Sequence, residues 1–209
     1  MVSRPTVQAR ARARRWDVRA DILNSARSLL AEVPFADLSI DMVMAAAGRS
    51  RTIFYRHFDD RQQLLLALLE ELGAEMTALG QDWAQESAGQ VIPRLREDLG
   101  GLVDIWVRNG SLMRALAAAA AQDPEVDAMY HALANRFIAI TGERIKADIA
   151  SGASTVADGT ETARALVWMT ERYLSECFGR GPASVPPETA KKTLGDIWVR
   201  AIYGMSPDC

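Results

Sequence analysis

Arg51, Thr52, Tyr55, Arg56 and His57 crowd into one short stretch of the chain, with Ile53, Phe54 and Phe58 set between and after them. On a helix this order turns the apolar residues inward and leaves Arg, Thr, Tyr and His outside. Such a surface suits a DNA major groove: guanidinium groups fork onto guanine edges or phosphates, and hydroxyls and methyls meet the remaining base edges. The flanking residues supply the frame. Ser50 stands where an N-cap belongs, and Gly48 can take the left-handed turn that closes a preceding helix. That helix opens at Ser39 and carries an apolar stripe of Ile40, Val43, Met44 and Ala47. Helix, glycine turn and second helix form the layout of a helix-turn-helix reader. Arg49, in the turn, faces either DNA or water. His57 is either a DNA contact or a packed or solvent-facing imidazole.

The preceding segment fits the same unit, with Arg19, Ile22, Leu23, Ala26, Leu29 and Leu30 at helical spacing and Phe35 and Leu38 leading into Ser39. With AAG at 46–48, Ser50, YRHF at 55–58, and Asp59, Asp60 and Arg61 ahead of a leucine-rich run, the first third of the chain resembles the TetR family of bacterial transcription regulators. Arg49 replaces the family's usual small aliphatic residue, and Arg61 stands where Lys is common. The resemblance implies a DNA-contacting set of Ser39, Arg49, Ser50, Arg51, Thr52, Tyr55, Arg56, His57 and Arg61. Thr52, Tyr55, Arg56 and His57 would enter the groove, and Ser39, Arg49, Arg51 and Arg61 would hold phosphates.

Charge follows the same division. The net charge of −3 combines eleven Arg and seven carboxylates over residues 1–61, +4, with thirteen cations and twenty carboxylates over 62–209, −7. A basic head on an acidic body suits a DNA binder with an appended sensor, because phosphate attraction acts locally. Arg10, Arg12, Arg14 and Arg15 concentrate this charge in residues 1–15, which read as a flexible basic arm. It either lies along phosphates or in a minor groove, or is a disordered tail giving nonspecific attraction. Cys177 and Cys209 form no disulfide or metal pattern and fit a reducing compartment. With no membrane-length apolar run and no signal-peptide core, the expectation is a soluble cytoplasmic protein.

Enzyme chemistry finds no footing. His131 has no neighbouring Cys or second His. Asp123, Glu125 and Asp127 read as helix-start charges, and Glu143, Lys146 and Asp148 as a solvated face. No nucleophile elbow, phosphate-cradling glycine loop or metal-ligand spacing is present, so neither cofactor nor metal is expected.

Beyond the reader, apolar spacing predicts helices over 62–79, 91–107, 112–121, 124–150, 160–178 and 187–203. Asn109 and Gly110 read as punctuation, and no β alternation appears. The fold class is all-α: a three-helix reader over 16–62, then a helical ligand-binding and dimerisation domain over 63–209. QDPEVDAMY at 122–130, MTERY at 169–173 and DIWVRAIYG at 196–204 resemble the EthR-type repressors within the TetR family. That likeness implies an apolar tunnel in each subunit, lined by Leu95, Leu99, Leu102, Trp106, Tyr130, Leu133, Ala134, Phe137, Thr141, Val167, Thr170, Leu174 and Trp198. Val167 and Thr170 occupy positions where relatives carry ligand-orienting Asn, so a different ligand is implied. Read as residues alone, Trp106, Tyr130, Phe137 and Trp198 at helical spacing are more often plain core than a binding box. Thr141, Thr170 and Tyr173 offer hydroxyls either to a ligand or to nearby backbone.

Ala165, Trp168, Met169, Leu174 and Phe178, with Leu194, Ile197, Val199, Ala201 and Ile202, carry apolar residues on more than one face of the last two helices. That surplus suits a twofold mate. The functional expectation is a repressor that binds a palindromic double-stranded operator as a homodimer and is released by an apolar small molecule, with no membrane partner. The alternative is a helical carrier of hydrophobic molecules without specific DNA binding.

Overall fold

The computed structural model describes residues 7–86 and 89–204, and these form helices joined by turns, with no strand among them. The chain divides into two compact units, one ending at Leu68 and the other beginning at Leu69.

In the first unit, α1 (Val7–Glu32) leads through a 3-10 turn at Phe35–Asp37 to α2 (Ile40–Ala46) and α3 (Arg51–Phe54), and α4 (Arg61–Ala84) begins. Ile22, Leu23, Ala26 and Leu30 of α1 are fully buried, as are Leu38, Val43, Met44, Phe54, Phe58, Leu64 and Leu65. Each such aliphatic or aromatic side chain contributes about 1.5–3 kcal/mol of burial. Gly48 adopts φ +62°, and the Arg49 amide then donates to the Met44 carbonyl at 2.9 Å, closing α2 with a left-handed cap. α4 starts on a reciprocal cap. Asp60 accepts from the Gln63 amide at 2.8 Å, while the Gln63 side chain accepts from the Asp59 amide at 3.1 Å, an exchange of the capping-box kind.

The second unit comprises the rest of α4 with α5 (Val91–Ala120), α6 (Pro124–Ala150), α7 (Gly159–Phe178) and α8 (Pro187–Tyr203). α6 packs on α7 and α5 on α8, and α5 also touches α6 and α7. Asp123 and Asp158 cap α6 and α7, each accepting from two backbone amides.

Several sequence expectations need correction. Residues 1–6 of the expected arm lie outside the described residues, and 7–15 belong to α1. Asn109 and Gly110 do not break a helix; α5 runs straight through them. Asn109 donates to the Ile105 carbonyl one turn back at 3.0 Å. A Cβ on Gly110 would sit 2.0 Å from the Phe178 carbonyl oxygen. The glycine therefore serves close helix packing, not chain reversal. Ser50 holds the N-cap position of α3, yet its side chain makes no cap bond.

Asp148 is not on a solvated face. It is 5% exposed and pairs with Arg144, whose Nη2 lies 3.0 Å away. It also accepts from the Tyr203 hydroxyl at 2.8 Å. Arg144 in turn donates to the Glu86 carbonyl at 2.7 Å and lies over the Trp83 ring. One buried ion pair thus ties the end of α4, the last turns of α6 and the end of α8.

The apolar surplus on the last two helices also shrinks. Leu174, Phe178, Leu194, Val199 and Ile202 are buried within the subunit. Ala165 and Ala201 remain exposed and Trp168 and Met169 half-buried, with Ile197 at 38% exposure.

Candidate nucleic-acid interface and ligand cavity

The reader surface is built on Phe54. It is fully buried and packs edge-on to Tyr55 and at a tilt to Phe58, each with ring centroids 5.5 Å apart. Anchoring Phe54 and Phe58 leaves Arg51, Thr52, Tyr55 and Arg56 exposed, as the pattern predicts, but α3 ends at Phe54, Tyr55–His57 continue as a turn, and His57 is half-buried rather than outside. Arg51 donates to Asp41 of α2 at 3.0 Å and to the Tyr55 hydroxyl at 3.1 Å, with its guanidinium over the Tyr55 ring. The Tyr55 hydrogen bond, then the Asp41 charge, raise the Arg51 pKa above its ordinary value.

Other members of the expected set are already engaged. Arg49 pairs with Asp21 of α1 at 2.9 Å, so it neither points freely into water nor waits unpaired. Arg61 donates to the Leu38 and Ala36 carbonyls and covers the Phe35 ring, bracing the approach to α2. Ser39 accepts from the Met42 amide at 3.1 Å as the N-cap of α2. Ser50 is exposed beside them.

The second unit holds a partly open cavity of about 110 Å³. Leu95, Leu99, Leu102 and Trp106 of α5 line it, with Tyr130, Leu133, Ala134, Phe137 and Thr141 of α6, Val167 and Thr170 of α7, and Trp198 of α8. Of the expected lining, only Leu174 is absent; it is fully buried in the core. Thr170 and Trp198 are brought together, with the indole N–H donating to the threonine hydroxyl at 2.9 Å. That internal bond satisfies both groups without a ligand.

Met76, Leu79, Gly80 and Trp83 of α4 also line the cavity, with Asp98, Met113 and Glu171. The α4 residues recur at helical spacing, a signal legible in the sequence as a face but not as a cavity wall. The two carboxylates carried no such signal. Asp98 is buried, pairs with Arg94 at 3.0 Å and accepts from the Trp83 amide at 3.0 Å. Glu171 accepts from the Tyr130 hydroxyl at 2.5 Å. Burial foremost, and Glu171 second, raise the Tyr130 pKa well above the usual tyrosine range, so it remains a donor at neutral pH. Among the described residues, no group of His, Cys, Asp and Glu could hold a metal ion. No helix among them is long and apolar enough to cross a membrane.

Comparisons with known proteins match both units. The profile of the bacterial regulatory proteins of the tetR family covers residues 22–68, and that of the C-terminal domain of the transcriptional regulator EthR covers 95–204. The HTH-type transcriptional regulator EthR of Mycobacterium tuberculosis (strain ATCC 25618 / H37Rv) is 32% identical over 185 residues, covering 88% of this chain and 86% of that one. EthR of Mycolicibacterium smegmatis is 30% identical over 193 residues, covering 91% and 88%. Among solved structures, Salmonella enterica GusR superposes with a TM-score of 0.73 at 22% identity, covering 89% of this chain and 95% of that one. Its identity is low enough that it supports the fold alone. A DNA reader with its apolar core and exposed polar face, followed by an EthR-type helical domain, places this chain in the TetR family of transcription regulators.

Proposed function

We propose that this regulator is a repressor that binds a palindromic operator as a homodimer and is released when an apolar small molecule fills the cavity of the second unit. The observation that carries the reading is the cavity itself. Well-packed interiors leave few voids larger than a water, so an apolar space of about 110 Å³ with a few polar side chains on its wall supports a small ligand there. α4 supports the coupling: the helix that starts at Arg61 carries Met76, Leu79, Gly80 and Trp83 on the cavity wall.

In this reading Thr52, Tyr55, Arg56 and His57 meet base edges, while Ser39, Arg49, Ser50, Arg51 and Arg61 approach phosphates. Arg49 and Arg51 do so only by exchanging a carboxylate for a phosphate. Twofold symmetry sets the two readers roughly 34 Å apart or a multiple of it. A ligand acts by binding the conformation whose readers are out of register better than the DNA-competent one. A coupling of about 1–3 kcal/mol weakens operator binding 5- to 150-fold.

The test is binding of the purified chain to duplex DNA from upstream of its own gene, across a salt series and against scrambled duplex. Tight binding with a steep salt slope, relieved by apolar compounds, is the expected result. Equal, weak binding to both duplexes would overturn the repressor and favour the carrier of hydrophobic molecules.

A further inference from the structure

Glu171 is out of character with the rest of the cavity wall. It is a half-buried carboxylate on a mostly apolar wall whose other polar side chains are Asp98, Tyr130, Thr141 and Thr170. Its one contact among the described residues is the Tyr130 hydroxyl, which is neutral. The other lining carboxylate, Asp98, has Arg94 beside it. No Lys, Arg or His lines the cavity, so the charge of Glu171 meets no cation there. An uncompensated negative charge beside a low-dielectric space favours an incoming positive charge and opposes a negative one. Trp106, Phe137 and Trp198 line the same cavity, and aromatic rings are compatible with a cationic ligand because a ring face attracts a cation.

We propose that the effector of this regulator is a hydrophobic amine, its apolar body in the aromatic cavity and its ammonium group against the Glu171 carboxylate. This rests on the ligand-responsive reading above and narrows it to one chemical class. Tyr130 orients Glu171 by donating to one carboxylate oxygen, leaving the other for the ligand. The cavity volume of about 110 Å³, somewhat below the apolar cavities that accept benzene, limits the apolar body of a fitting ligand to about one ring.

The test uses three compounds that share one benzyl group: benzylamine, benzyl alcohol and phenylacetate. Binding to the full chain is followed by tryptophan fluorescence and calorimetry, and operator release is measured in parallel. The amine is expected to bind about tenfold tighter than the alcohol, or about 1.4 kcal/mol, with the carboxylate weakest. Glu171→Gln should bring the amine down to the alcohol, whereas Tyr130→Phe, which keeps the charge, should retain most of the preference. The wild-type ranking stands as a test even should a variant fold poorly. If amine and alcohol bind equally and both release operator DNA, the amine class is overturned and the ligand-responsive repressor stands. If none of the three binds, the cavity reading falls with it.

Discussion

Arg56 and Arg49 carry the same charge on the same reader, yet the structure gives them different work. Arg49 is held by Asp21 at 2.9 Å, whereas the Arg56 guanidinium is exposed and meets no side chain or carbonyl among the described residues. Binding DNA through Arg56 therefore breaks nothing inside the protein. Arg56→Ala is expected to cost about 1–3 kcal/mol of operator affinity if it reads a base. Discrimination should then relax at one position, measured by competition with single-base operator variants. Arg49→Ala should change affinity much less, because Asp21 already neutralises it and an exposed pair contributes little. Identical losses for the two variants would show that Arg56 acts as an undirected charge.

Helix ends and helix contacts separate residues that look alike in sequence. Ser39 and Ser50 both precede short helices, but only Ser39 accepts a backbone N–H. Ser39→Ala is expected to lower stability by about 1 kcal/mol and Ser50→Ala by a few tenths, read from urea unfolding. Gly110 provides the corresponding test for α5. Its Cβ position lies 2.0 Å from a backbone oxygen, which cannot rotate away as a side chain can. Gly110→Ala gains helix propensity but should still lose about 3 kcal/mol, the upper end for overpacking. A stabilised variant would mean that α5 and α7 separate at that point without cost.

For the whole molecule, the buried Arg144–Asp148–Tyr203 group links three helices of the second unit. Removing one partner of a buried pair leaves the other charge unsatisfied, so Asp148→Ala is expected to cost about 3–5 kcal/mol. Tyr203 also makes stability depend on alkaline pH. Burial first, then the Asp148 hydrogen bond, raise its pKa above the ordinary 10.0. Its contribution is complete below pH 10 and is lost as pH rises past it, since the unfolded chain releases that proton first. Unfolding followed from pH 8 to 11 should show this decline, and Tyr203→Phe should make it shallower, the remainder coming from Tyr130, whose pKa is raised in the same sense. The dimer expectation now rests on a smaller patch of Ala165, Trp168, Met169, Ile197 and Ala201. Ile197→Glu should yield monomers in sedimentation with the helical content intact.

The sequence by itself determined the reader, because each of its features is local. A glycine turn, a capping serine and an inward Ile-Phe-Phe set act within a few residues, and they leave Arg51, Thr52, Tyr55 and Arg56 exposed. It also marked the helix start at Asp123, and apolar spacing placed residues of α5, α6 and α7 on inward faces, while only the family resemblance implied that they border a cavity. Tertiary structure alone decided what depends on a partner far along the chain. Gly110 reads as a break until the Phe178 carbonyl is found against it. Asp148 reads as a surface charge until Arg144 and Tyr203 close around it. Glu171 is a helix carboxylate like others until the walls of an apolar cavity meet beside it. Periodicity states which way a side chain faces; only packing states what it faces.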